Sequence, residues 1–370
     1  MNYLKNTVKV IFALSVLFFA GCKSLTVKNG GDMKFDRLFC WASPTTEANA
    51  QRYASAGVTD IVVRSAKQYD LAKKYDMTAY WKVFLPVGPH KQVLSPEEQK
   101  HFEYVSGADL DPKMPRAERM KILHKRRIEK QDRYGGDVVT EVATLNSYQI
   151  ACFSSDDGLV LSQKAIDKML KDAPDGIAGI FMDFIGYRNH KGCCCQRCLQ
   201  KYQKYLSDNK LVDTPGNKAN FYRTEMVNYY NNIVDYVKSQ KPDYKVVVHV
   251  YPYFTAEPLY GNRTKVDYCG QTVSWYFKWD EATIRKKTEY VVKHAKDHFS
   301  NAEGVPFIGL STDRTSSLMY KTPEEVDFEL RTILSAGGRS VMVCYGTAIL
   351  EDGYYEVFKK YCGKPQKTEK

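Results

Sequence analysis

From about residue 37 onward, apolar runs recur along the chain, and polar, helix-patterned stretches fill the gaps between them. Eight runs read as strands: RLFCWA (37–42), DIVVRS (60–65), TAYWKVFLP (78–86), IAGIFMDFIG (177–186), YKVVVHVYPYF (244–254), VDYCGQTVSWYF (266–277), VPFIGLST (305–312) and SVMVCYGTAI (340–349). Most are apolar nearly throughout rather than alternating, the pattern of strands in a parallel sheet with both faces covered. The stretches between them carry helix punctuation. TTEANAQRYASAG opens on a Thr cap and closes at Gly57, and TPEEVDFELRTILSAGG has Thr322 as a cap, Pro323 next and glycine at its end. Eight strand–helix units in one chain predict an α/β fold, the (β/α)8 TIM barrel. A doubly wound sheet is the runner-up, but no glycine-rich phosphate loop follows the first run.

One interval breaks the rhythm, with about ninety residues between the third and fourth runs. A structureless loop of that length would count against the assignment. SPEEQKHFEYV, RAERMKILHKRRIEKQDRY and LSQKAIDKMLKDA are instead helical in pattern. The last reads as the barrel helix leading into the fourth strand. The others predict a helical insertion between strands 3 and 4, about residues 87–150, lying over the face where strands end. No solenoid repeat or low-complexity segment interrupts the chain.

The chain begins MNYLKNTVKVIFALSVLFFAGC, with Lys5 and Lys9 ahead of an apolar stretch too short for a membrane span. That is the layout of an export signal. FFAGC resembles a bacterial lipobox, which implies cleavage before Cys22 and lipid, palmitate included, on that cysteine. The resulting division is a signal peptide over 1–21, a polar tether over 22–34, the barrel over 35–363 and a polar tail over 364–370. Lys23 stands where an inner-membrane retention signal resembles Asp, so the expectation is an outer-membrane lipoprotein of the cell envelope, held to the membrane by its lipid.

With 370 residues and 44% hydrophobic content, the chain can bury a full core. The net charge of +11 is modest, and the basic run RAERMKILHKRRIEKQDR interleaves its cations with acids, as a solvated helix face does. An export signal and the absence of any nucleic-acid motif exclude nucleic acid as the expected partner. Nothing in the sequence sets an oligomeric state.

In a barrel of this kind, chemistry gathers where strands end. Asp183 lies late in the fourth run, flanked by Met182 and Phe184. A carboxylate there is costly to bury without a purpose. Asp313 follows the seventh run in GLSTDR, and Asp280 follows the sixth in WYFKWDE as the alternative partner. Hydrolysis of a glycosidic bond needs such a pair: one acid to protonate the leaving oxygen, one carboxylate to attack the sugar or activate water. Asp183 with Asp313 is preferred, since strands four and seven face each other across a barrel mouth. Tyr187, Arg188, His249, Tyr251, Trp275 and Tyr345 cluster at strand ends and are the expected sugar-binding residues. Trp41, Trp81, Tyr253 and Tyr276 fall in the same zone.

Cys193, Cys195 and Cys198 form C-x-C-x-x-C, a spacing that lets three thiolates converge on one cation, with Cys152 in QIACFSS as the fourth ligand. Structural zinc is the reading preferred. A disulfide among the same residues is the rival, because an exported protein meets an oxidising compartment. CCCQRCLQKYQKYL resembles the zinc-binding segment of glycoside hydrolase family 42 β-galactosidases, where a C-x-C-x-x-C follows the fourth strand and an upstream cysteine completes the site. The resemblance covers about residues 150–206. It implies a barrel, a structural metal and a carbohydrate substrate. The sequence departs from that family at the acids: FMDF has Asp183 and no Asn-Glu pair, and GLSTDR has Asp313 in place of a nucleophilic Glu. β-Galactosidase activity is not implied. The expected function is a lipid-anchored glycoside hydrolase-like protein acting on an oligosaccharide; the alternative is a noncatalytic glycan-binding barrel.

Overall fold

A computed structural model describes residues 34–87, 109–115, 118–119, 121–123, 125–126, 152, 154–185, 193, 195–250, 264–274, 279–298, 302–312 and 320–363, without the side chains of 183–185, 219, 250 and 294–298. Within it, eight strands form a closed ring: β1 (Arg37–Trp41), β2 (Asp60–Val63), β3 (Thr78–Val83), β4 (Gly179–Ile185), β5 (Lys245–Val250), β6 (Tyr268–Ser274), β7 (Glu303–Gly309) and β8 (Ser340–Cys344). Every neighbouring pair is parallel, and β8 closes on β1 through Leu38↔Val341 and Trp41↔Cys344. The expected TIM barrel is therefore the fold.

Helices cover the ring: α1 (Glu47–Ser55), α2 (Ala66–Lys74), α3 (Asp156–Asp172), α4 (Gln196–Asp208), α5 (Pro215–Gln240), α6 (Glu281–His298), α7 (Pro323–Ser335) and α8 (Asp352–Cys362). Their ends follow local chemistry. Thr46 accepts a bond from Asn49 N to start α1, and Thr322 with Glu325 makes a reciprocal capping box on α7. Gly57 follows α1 at φ +94°, where a Cβ would stand 2.2 Å from the Cys362 carbonyl carbon, so only glycine permits that approach. Among the described residues the rhythm expected from sequence differs in two places, and residues 251–263 between β5 and β6 lie outside them. β4 is followed by two helices, and the eighth run stops being strand at Cys344 because Tyr345 turns left-handed into a 3-10 turn over Gly346–Leu350. Between β3 and α3, the described residues 118–119, 121–123 and 125–126 are helical, and Leu123 is buried.

Period-two alternation sorts the strand side chains. Phe39, Val62, Tyr80, Phe181, Val247, Val305, Phe307, Met342 and Cys344 pack together inside the ring. The other parity, among it Leu38, Ile61, Ile180, Val246 and Val341, packs outward against the helices. Trp81 belongs to this outer layer, so it is part of the packing and not of the rim.

The base of the ring carries a charged plug. Asp60, at the start of β2, accepts bonds from Arg37 Nη2 at 2.6 Å, Arg37 Nε at 3.1 Å and Tyr80 Oη at 3.0 Å. Arg37 also donates to the Tyr268 hydroxyl, and its guanidinium lies over the Tyr268 ring at 4.4 Å. Among the described residues no helix is long and apolar enough to cross a membrane.

Candidate active site and metal centre

All eight strands run the same way, so their carboxyl ends share one mouth. β4 and β6 are both irregular near that end. Met182 pairs with Val248 but Ile185 with Val250, and Thr272 pairs with Phe307 but Ser274 with Ile308. Each mismatch places one extra residue on the strand, and such bulges recur beside active sites because they re-aim side chains. Asp183 falls within the β4 irregularity.

Beneath the mouth lies an aromatic floor. Trp41 ends β1, and its ring centroid is 5.4 Å from His249, 6.0 Å from Phe181 and 6.1 Å from Phe307. His249 stacks on Phe307 at 3.8 Å and is fully buried. Burial, and secondly the charge of Lys82, holds its pKa well below the ordinary histidine range, so it is neutral at physiological pH. It therefore supports Trp41 from within the barrel rather than facing solvent.

Lys82, two residues beyond Tyr80 on β3, carries its ammonium 4.8 Å from the Trp41 ring and 4.7 Å from the Phe84 ring. Phe84 follows β3 directly and is 64% exposed. The Arg64 guanidinium, just past β2, lies 5.6 Å from the same ring. Tyr345 follows β8, half exposed, with the left-handed φ of 56°. Lys82, Phe84 and Arg64 are not among the residues singled out from sequence. The signal was present: Lys82 interrupts an apolar run near its end, as Asp183 does.

Around the other side, Lys321 and Glu329 form a fully buried pair at 2.8 Å, and Lys321 donates to Ser274 Oγ at 2.9 Å. This ties the start of α7 to the end of β6. A bridge between Ser311 and Tyr320 joins the flanks of the segment that contains Asp313. Asp280 accepts a bond from Thr283 N at 2.7 Å at the start of α6, and its bonds with Thr283 lower its pKa. Its exposed carboxylate serves as a helix cap, and a lowered pKa is the opposite of what a general acid needs. Asp313, Tyr187, Arg188, Tyr251, Trp275 and the lipidation candidate Cys22 lie outside the described residues, and Asp183 is described in its backbone alone.

The cysteines converge as expected. The sulfurs of Cys152, Cys193, Cys195 and Cys198 lie within 4.8 Å of one another, with Cys152 Sγ 3.1 Å from Cys198 Sγ and 3.5 Å from Cys193 Sγ. No disulfide joins them. Four sulfurs at about 2.3 Å around a tetrahedral cation would stand about 3.8 Å apart, close to this spacing. Hydrogen bonding with Cys193 and burial push the Cys152 thiol up to about 12, with Cys198 pulling against them; bonds with Cys152 and Cys193 drive Cys198 higher still. A cation reverses that preference by stabilising the thiolates, so the donor set fits a metal ion.

Local structure holds the clasp in place. Ser154 N donates to Cys152 Sγ at 3.4 Å, and Ser155, the cap of α3, donates to the Cys152 carbonyl at 2.8 Å. Cys195 caps α4, so two of the sulfurs sit at that helix's positive end. Tyr222 Oη donates to the Cys193 carbonyl at 2.8 Å, and Lys201 Nζ to the Ser154 carbonyl at 2.9 Å. Met182 of β4 belongs to the same apolar cluster as Cys152, Cys193 and Cys198, with Cys195 packed against it.

No family model matches the chain, and no curated protein matches it. Solved structures do. The PgaB (BpsB) glycoside hydrolase domain from Bordetella bronchiseptica superposes with a TM-score of 0.55 at 8% identity, over 90% of this chain and 100% of that one. A β-galactosidase from the Antarctic haloarchaeon Halorubrum lacusprofundi gives 0.51 at 12% identity, over 83% of this chain and 52% of the other. This chain thus spans about half the length of that enzyme, and at such identities the likeness shows the shared barrel fold.

Proposed function

We propose that this chain is an exported, lipid-anchored glycoside hydrolase-like barrel that cleaves an oligosaccharide at the carboxyl ends of its strands. The observation that carries this reading is the pairing of an acid-bearing bulge at the end of β4 with an aromatic floor and rim in one mouth. A likeness to the barrels of a glycoside hydrolase domain and a β-galactosidase supports it. Asp183 and Asp313 are the proposed carboxylate pair, with Tyr187, Arg188, Tyr251, Trp275 and Tyr345 binding sugar around them. The helix-capping role of Asp280 favours Asp313 as the partner.

Zinc is the proposed occupant of the four-sulfur clasp, held by Cys152, Cys193, Cys195 and Cys198, with a structural role only. Cys22 is the proposed lipid attachment point, giving an outer-membrane lipoprotein. Replacing Cys22 with Ser should abolish lipid labelling and release the protein from membranes.

The central test is a screen of the soluble chain from residue 23 on oligosaccharide pools. Asp183→Asn and Asp313→Asn should each lower turnover by about 10²–10⁴-fold without shifting Tm, whereas Asp280→Asn should stay near the parent. Sugar binding without turnover in the parent and every variant would replace the hydrolase reading with the noncatalytic glycan-binding one.

A further inference from the structure

The β1–β3 side of the mouth gathers an exposed aromatic ring and two cations among the described residues. An exposed aliphatic or aromatic side chain is common on protein surfaces. Phe84 differs in its surroundings: it has no polar handle, it stands at the end of a barrel strand, and two cations approach its ring. Lys82 lies on the inner side between Phe84 and Trp41, and its charge reaches His249 deeper in the barrel. Arg64 lies on the outer side, exposed to water.

These two cations differ in mobility. Lys82 is buried, with its ammonium held between the Trp41 and Phe84 rings. The contact of Arg64 with Phe84 is a cation–π contact at an exposed site, which is weak and easily exchanged. A guanidinium leaving that ring would still reach a group seated on it, and its planar fork matches a carboxylate. A ligand that stacks on Phe84 therefore has the Arg64 guanidinium within reach. An amino sugar would be repelled, a neutral sugar would gain stacking alone, and an acidic sugar would gain stacking and charge pairing together.

We propose that this side of the mouth is a subsite for a carboxylate-bearing sugar, with Phe84 stacking on the sugar ring and Arg64 pairing its carboxylate. The inference rests on the mouth being a sugar site, and it narrows the substrate to acidic glycans.

The test is equilibrium binding, measured on the Asp183→Asn form so that turnover plays no part. The probes are oligogalacturonate, oligomannuronate and oligoglucuronate, each against its carboxyl-reduced neutral counterpart. At least one acidic probe should bind about fivefold or more tightly than its neutral partner, and the preference should shrink with added salt. Arg64→Gln should bring that preference below about twofold while leaving the neutral probe unchanged. Phe84→Ala should weaken acidic and neutral probes alike by about tenfold. Both residues are exposed, so Tm should not move. Equal binding of every acidic and neutral pair, or a preference untouched by Arg64→Gln, overturns the proposal. Carboxylate-dependent binding with no hydrolysis in the parent would sink the hydrolase reading and leave this one standing; hydrolysis indifferent to carboxylates and to Arg64 would do the reverse.

Discussion

His249 shows how a single polar side chain in a barrel interior is tuned by what surrounds it. Its ring stacks on Phe307 and touches Trp41, away from water, with the Lys82 charge nearby. Both effects disfavour the imidazolium, so the folded pKa lies below the unfolded one. Above about pH 6.5 neither state is protonated and the group costs nothing. As pH falls below that value the unfolded chain takes up a proton that the folded chain refuses, and stability drops by about 1.4 kcal/mol per pH unit until the folded pKa is reached. Urea denaturation from pH 7.5 to 5 should show this loss, and His249→Gln should flatten its share of the slope. A parent slope unchanged by the substitution would remove His249 from the account. At this scale the sequence was half legible. A charge inside an apolar run marks Asp183 and Lys82 alike, but which rings Lys82 lies between depends on other strands. The burial of His249 needed the positions of Trp41 and Phe307, which come from other strands.

Helix ends were readable because their code is local: Thr46 and Thr322 act within one turn, and Gly57 takes the left-handed step that ends α1. The end of β8 was not, since TAIL is as apolar as a strand yet coils into a 3-10 turn that stays buried. The sulfur clasp was readable in its short spacing, and Cys152 is brought to it by the loop before α3. The clasp joins the starts of α3 and α4, two elements that otherwise depend on apolar packing around Tyr202, Phe221 and Tyr222. Metal removal should therefore act locally first. Elemental analysis of protein purified without chelator should find one zinc per chain. Chelation or Cys152→Ser should speed hydrogen exchange in the first turns of α3 and α4 while β1 and β8 stay protected. Zinc-free protein with the cluster oxidised to disulfides would reverse the assignment.

Closure of the ring gives the molecule a base held by buried charge and a mouth proposed to bind glycan, the division expected of this architecture. Its eight strands could be counted along the sequence, because each is one apolar run. The plug at the base could not, because Arg37, Asp60 and Tyr80 come from three neighbouring strands and Tyr268 of β6 reaches Arg37 only in the closed ring. Asp60 has no solvent exposure of its side chain, whereas Arg37 keeps 28%. Asp60→Asn would leave the guanidinium without its carboxylate, and the hydroxyls of Tyr80 and Thr59, which also donate to Asp60, with a poorer acceptor. Breaking a buried pair this way costs about 3–5 kcal/mol, and the partial exposure of Arg37 argues for the lower end of that range. Urea midpoints should fall accordingly with an unchanged m-value. At a temperature where the variant remains folded, glycan binding at the mouth should match the parent. Weakened binding in fully folded Asp60→Asn would mean that the base and the mouth are coupled through the barrel interior, and the division of labour between the two ends would fail.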